Sequence, residues 1–136
     1  MKHTLRTICL FTLLITSASW LGTLQKDTLQ QSMKRGEEVY ATSCANCHMP
    51  QGEGVEGAFP PLAKTVYLKN QKRAIDIILH GQEGEIVVNG KTYNVPMAAM
   101  NHLTDQQVAD VLNYVSNTWG NKNPMIKPVQ VKTARK

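Results

Sequence analysis

Two cysteines and a histidine, in the run Cys44-Ala45-Asn46-Cys47-His48, set narrower limits on this chain than anything else in its 136 residues. Thiols three residues apart share one face of a helix. Four chemistries use such a pattern: a disulfide, half of a zinc site, a thioredoxin-like redox pair, and covalent attachment of haem. Each makes a different demand on the remainder of the chain.

A thioredoxin-like pair, or a disulfide at this spacing, belongs to an oxidoreductase with βαβ units, and no such pattern is present. A structural zinc site closes with four ligands. Beyond the N-terminal segment the chain offers only His80 and His102 besides, and they lack paired spacing. Cys9 lies in an apolar run and reads as a small hydrophobe. Haem attachment needs nothing more: two thiols add to two vinyl groups, and the adjacent imidazole reaches the iron. A bound macrocycle also supplies interior surface that a domain of about 90 residues is short of.

The N-terminus reads as an export signal. Lys2, His3 and Arg6 precede the uncharged run Ile8–Ile15, and the small residues Ser17, Ala18 and Ser19 follow. Counted from Thr7 to Leu24 the uncharged stretch is 18 residues, at the short end for a membrane span. Residues 1–24 are therefore expected to be a signal peptide or a retained membrane anchor. The protein is expected in the periplasm or on the outer face of the inner membrane. Residues 25–31 read as a polar lead-in, 32–120 as the folded domain, and 121–136 as a flexible basic tail.

The formal net charge is +5, but it is unevenly spread. Between Gln30 and Gly120 seven Lys/Arg face nine Asp/Glu, so the domain is near −2. The positive excess sits at the ends. A nucleic-acid binder needs a basic patch on its folded surface, and none is expected here. The tail holds five basic residues, two prolines and no acid; steering toward an acidic partner, holding near anionic lipid, and inertness all remain open for it.

The run Ser32 to Cys44 carries Met33, Gly36, Val39 or Tyr40, and Cys44 at helical spacing. Gly36 inside it is unfavourable in a helix and predicts close contact with another backbone. Ala74–Gly81 reads as a short helix ended by glycine. Glu85–Tyr93 holds a central Asn89-Gly90 between β-favouring residues, a hairpin cue. Thr104 with Gln107 forms a capping-box pattern. Val108, Val111, Leu112, Val115 and Trp119 then make one apolar stripe, stopped by Gly120. The spacing of Gly52, Gly54 and Gly57 does not follow a strand or open a periodic helix, so a nucleotide loop is not indicated.

Together with the Cys-x-x-Cys-His run, the stretch Gly52-Glu53-Gly54-Val55-Glu56-Gly57-Ala58-Phe59-Pro60-Pro61-Leu62-Ala63 resembles a class I (monohaem) bacterial cytochrome c. The likeness extends to Trp119 and is nearest to small carriers and to the c-type haem modules of dehydrogenases and nitrite reductases. It implies an all-α fold with N- and C-terminal helices crossing over one covalently bound haem, plus a small hairpin before an axial methionine. It implies thioether links at Cys44 and Cys47 and iron ligation by His48. The Pro60 carbonyl is expected to accept a hydrogen bond from the His48 ring. For the sixth position the soft or imidazole donors downstream are Met97, Met100, His80 and His102. Aligned on Leu103-Thr104-Asp105, the ligand falls on Met97, although Ala98 stands where the family often has proline. Met100 is the other methionine candidate, otherwise a pocket filler, and Tyr93 and Asn94 are expected on the methionine side.

With both axial positions filled, no site remains for a substrate, so the expected function is electron transfer and not catalysis. The donor would be a dehydrogenase or quinol-oxidising protein, and the acceptor a terminal oxidase or reductase. The protein would be monomeric or a haem c subunit held in such a complex. An open iron that binds gases or peroxide is a further alternative.

Overall fold

Residues 27–136 are described by a computed structural model. The segment read as signal peptide or anchor, 1–24, lies outside the described residues. Among the described residues no helix is long and apolar enough to cross a membrane.

Among the described residues the first helix, α1 (Leu29–Ser43), starts earlier than the lead-in reading allowed. Thr28 and Gln31 form a full capping box. The Thr28 side chain accepts from Gln31 N at 3.2 Å, and Gln31 Oε1 accepts from Thr28 N at 2.9 Å. Two orphan donors of the first turn are thereby satisfied, so residues 29–31 are helix and not lead-in. The chain breaks helical geometry at Cys44 (φ −124°) and resumes as α2 (Ala45–His48). A 3₁₀ turn (Val66–Lys69) leads into α3 (Gln71–His80), whose N-cap Asn70 accepts from Arg73 N at 3.1 Å.

The hairpin forms as expected. Strands β1 (Ile86–Val88) and β2 (Lys91–Tyr93) pair antiparallel, with Ile86 opposite Tyr93 and Val88 opposite Lys91. Asn89 and Gly90 both have positive φ (51° and 79°), as a two-residue primed turn requires.

Helix α4 (Asp105–Val115) carries the Thr104/Gln107 capping box. Its stripe Val108, Val111, Leu112 and Val115 is buried against Tyr40, Ile75 and Leu79. The helix stops sooner than the stripe suggested. Trp119 lies beyond it, at φ 50°. Its ring packs edge-on against Tyr40 and Tyr114, with centroids 5.0 and 5.3 Å away.

Helices α1 and α4 cross with almost no space between them. A Cβ on Gly36 would sit 2.0 Å from the Asp110 carbonyl oxygen, which is why only glycine fits. The crossing is also tied by polar bonds. Asp110, 2% exposed, accepts from Ser32 Oγ at 2.6 Å and from Arg35 Nε at 2.7 Å. A buried carboxylate without such partners would be strongly destabilising.

The flexible-tail reading of 121–136 needs correction. The segment ends in helix α5 (Pro128–Ala134), and Ile126 and Val131 are fully buried. The side-chain amide of Asn113, on α4, meets both backbone groups of Ile126. Its Nδ2 donates to Ile126 O at 2.8 Å and its Oδ1 accepts from Ile126 N at 2.7 Å. Two apolar anchors and this pair of bonds seat the segment on the core, while Lys122, Lys127, Lys132 and Lys136 stay exposed.

Candidate haem-binding site

A cavity of about 300 Å³ opens between α1–α2, α3, the hairpin and α4, a volume within the range of small-ligand sites. No charged side chain lines it. Cys44, Cys47 and His48 line it from the α1–α2 junction, and Met97 and Met100 line it from the segment between the hairpin and α4. Between them stand apolar side chains such as Phe59, Leu68, Ile78, Val88 and Leu112.

The attachment residues owe their placement to local geometry. Backbone bonds from Cys47 N and His48 N to Cys44 O, at 3.2 and 2.9 Å, wind the five residues into one turn. The two cysteines are not bonded to each other; Cys44 is half-buried and Cys47 exposed. Burial, with a smaller contribution from Cys47, pushes the Cys44 thiol up to about 11.

His48 is 8% exposed. Its Nδ1 lies 2.9 Å from the Pro60 carbonyl oxygen. That contact makes Nδ1 the donor nitrogen and leaves Nε2 with its lone pair. Burial lowers the His48 pKa, against a smaller opposing effect of the Pro60 carbonyl. The imidazole is thus held neutral, the form that ligates metals. Such a bond from the second ring nitrogen fixes the ring and makes it a stronger ligand.

The methionine segment is held by tertiary contacts. Met97 N donates to Gln82 O at 2.9 Å and Gln82 N donates to Met97 O at 3.0 Å, an isolated two-residue bridge. Met100 N donates to Ile78 O at 2.7 Å. Gly81, which ends α3, makes this approach possible. Its φ is +82° and ψ −177°, and a Cβ there would lie 2.6 Å from the Met97 carbonyl oxygen. Met97 and Met100 are both partly buried and packed on the core. Tyr93 lines the cavity; Asn94 is exposed and does not. His80 and His102 are exposed, and neither lines the cavity.

Sequence reasoning had not singled out Gln82 or Ile78, whose backbones hold the methionine segment. A backbone acceptor carries no side-chain signature, so only the helix-ending Gly81 marked the place.

The donor set fits a haem. Two thiols, one neutral imidazole and two thioethers converge on an uncharged apolar cavity, with no carboxylate to favour a hard cation. The fold and the cavity together define a small helical protein built to enclose a covalently held macrocycle. The sequence model of the family "Cytochrome c" matches residues 33–119, and the chain belongs to that family. Its cofactor is accordingly covalently bound haem c, which carries iron, and its function is electron transfer. The chain is 36% identical over 108 residues to cytochrome c-552 of Thermus thermophilus, covering 74% of this chain and 82% of that one. It is 36% identical over 96 residues to the cytochrome c subunit of the quinone alcohol dehydrogenase of Gluconobacter oxydans, covering 65% of this chain and 19% of the relative. A gluconate 2-dehydrogenase cytochrome c subunit from Pantoea cypripedii is 32% identical over 112 residues, 79% of this chain and 23% of the relative.

Proposed function

We propose that Cys44 and Cys47 carry the haem through thioether bonds, that His48 Nε2 and the Met97 sulfur are the axial ligands, and that the Pro60 carbonyl orients the His48 ring. The observation that carries this reading is the convergence of all four side chains on one uncharged cavity, with His48 Nδ1 already engaged. Haem c supplies a one-electron couple at its iron. The protein's part is to keep that couple dry, fixed and reachable at one edge. Burial and a thioether ligand both favour the reduced form and raise the potential. Cys47, Val95 and Pro96 line the cavity and are exposed, so apolar side chains stand at its mouth. A rim of that kind suits a small, transient contact with a partner.

One electron enters from a dehydrogenase or quinol-oxidising donor and one leaves to a terminal oxidase or reductase. The dehydrogenase subunits among the relatives support a donor of the first kind, and equally a chain held as a subunit in such a complex. The periplasm, or anchorage at the outer face of the inner membrane, is the location that residues 1–24 would give it.

The test is Met97→Ala, made beside Met100→Ala in the haem-loaded protein. Oxidised protein with a thioether ligand has a charge-transfer band at the red end of the visible spectrum. The band should vanish in the first variant and persist in the second. Carbon monoxide should bind the reduced Met97→Ala protein at neutral pH and leave the unmutated protein unchanged. A band that survives Met97→Ala removes Met97 as the ligand.

A further inference from the structure

The C-terminal segment does more than cover the core: it reaches the methionine segment. Ile126 and Val131, both fully buried, and the Asn113 amide fix the path of residues 126–134. A further bond from Gln71 Nε2 to Pro124 O, at 2.7 Å, ties the segment to α3. This seating delivers Arg135, the C-cap of α5, to the turn between Met97 and α4.

The Arg135 guanidinium there meets three acceptors. Nε donates to Asp105 Oδ1 at 2.6 Å, Nη1 to Asn101 O at 3.0 Å, and Nη2 to Leu103 O. Arg135 and Asp105 are each only about 30% exposed, so water screens the pair less than it would at an open surface. Among the described residues no backbone donor meets the carbonyls of Asn101 or Leu103. Arg135 satisfies both, and at the same time grips the first residue of α4. The segment from Met97 to Leu103 is then pinned at three places: by Gln82 at Met97, by Ile78 at Met100, and by Arg135 at Asn101 and Leu103.

A thioether is a weak ligand, and its retention depends on how little the chain that bears it can move away. We infer that Arg135 is a positioning residue for the sixth iron ligand: the C-terminal helix, through this guanidinium fork, holds the Met97 segment closed over the haem. This rests on Met97 being the ligand. The planar fork matters because it spans two carbonyls and a carboxylate at once, which an ammonium on a flexible stem does not do.

The experiment uses the full haem-loaded protein in its oxidised state, with imidazole as an added ligand that enters when Met97 leaves. Arg135→Ala should bind imidazole about tenfold more tightly than the unmutated protein, equivalent to about 1.4 kcal/mol of lost closure. Its charge-transfer band should also disappear at a lower urea concentration than its helical circular dichroism. Arg135→Lys should show most of the same gain in imidazole affinity, and carries the test should the alanine variant not accumulate. Lys72→Ala, which removes an exposed ion pair on α3 with Asp76, should leave imidazole affinity unchanged. Affinity within twofold of the unmutated protein for Arg135→Ala, or full rescue by lysine, overturns the inference. Absence of the band in the unmutated protein would instead bring down the Met97 assignment, and this inference with it.

Discussion

The cavity is bounded by two segments built on different principles. The attachment segment is contiguous: Cys44, Cys47 and His48 fall within five residues, wound by bonds to the single carbonyl of Cys44. Its outside supports are also near in sequence: Gly54 N donates to His48 O at 3.0 Å, and the Pro60 carbonyl that meets the His48 ring is 12 residues further on. The methionine segment has no such local logic. It is held by Ile78 near the end of α3, by Gln82 just beyond it, and by Arg135, which lies 34 residues from Asn101. The difference matches the bonds each must support. Covalent thioethers tolerate a poor scaffold once formed. A coordinate bond to a weak thioether is reversible, so the scaffold must supply what the bond lacks.

Breaking the attachment segment should therefore have the largest effect. In Cys44→Ala combined with Cys47→Ala no thioether can form, and any pigment should be fully extracted by acidified organic solvent. The same extraction should leave colour with the unmutated protein. Next in size is Gly81→Ala, which strikes only the methionine segment. The backbone there lies in a region open almost solely to glycine, and the added methyl meets the Met97 carbonyl at 2.6 Å. Strain of this kind costs about 2–4 kcal/mol when both terms act. A urea denaturation should show that loss, and the charge-transfer band should fade, while the pigment stays covalently bound. If Gly81→Ala released pigment, the two segments would not be independent.

The same contrast decides how much of the molecule was legible in the sequence. Local signals read well. Asn89-Gly90 announced the hairpin, Thr104 with Gln107 announced the start of α4, and Gly36 announced the helix crossing that Asp110 completes. The Thr28-x-x-Gln31 capping box is equally local, but the polar residues around it carry no apolar period to mark a helix. Residues 121–136 were misread for a deeper reason. Charge and proline count dominate that stretch, while its burial rests on Ile126 and Val131, two residues without a helical stripe between them. The bonds that seat Ile126 come from Asn113, which sits inside an α4 whose apolar stripe draws the eye. Arg135 reads as one more solvated charge until the fold supplies its three acceptors.

The smallest expected effect tests the attachment segment's own support. Pro60→Ala keeps the carbonyl that His48 Nδ1 meets at 2.9 Å and removes only the ring that restricts the backbone. Proline at a compatible position stabilises by about 0.4–1 kcal/mol, chiefly by narrowing the unfolded ensemble. A loss of that order should appear in the urea midpoint. The charge-transfer band and the imidazole affinity should be unchanged, because nothing in the methionine segment is bonded to Pro60. Reduction potential separates the two ways this could go. Held within measurement error, it means the carbonyl alone orients the imidazole and the ring only rigidifies the path to it. A marked shift would mean that the carbonyl wanders without the pyrrolidine. The attachment segment would then depend on a tertiary brace as the methionine segment does, and the contrast between them would narrow to one of degree.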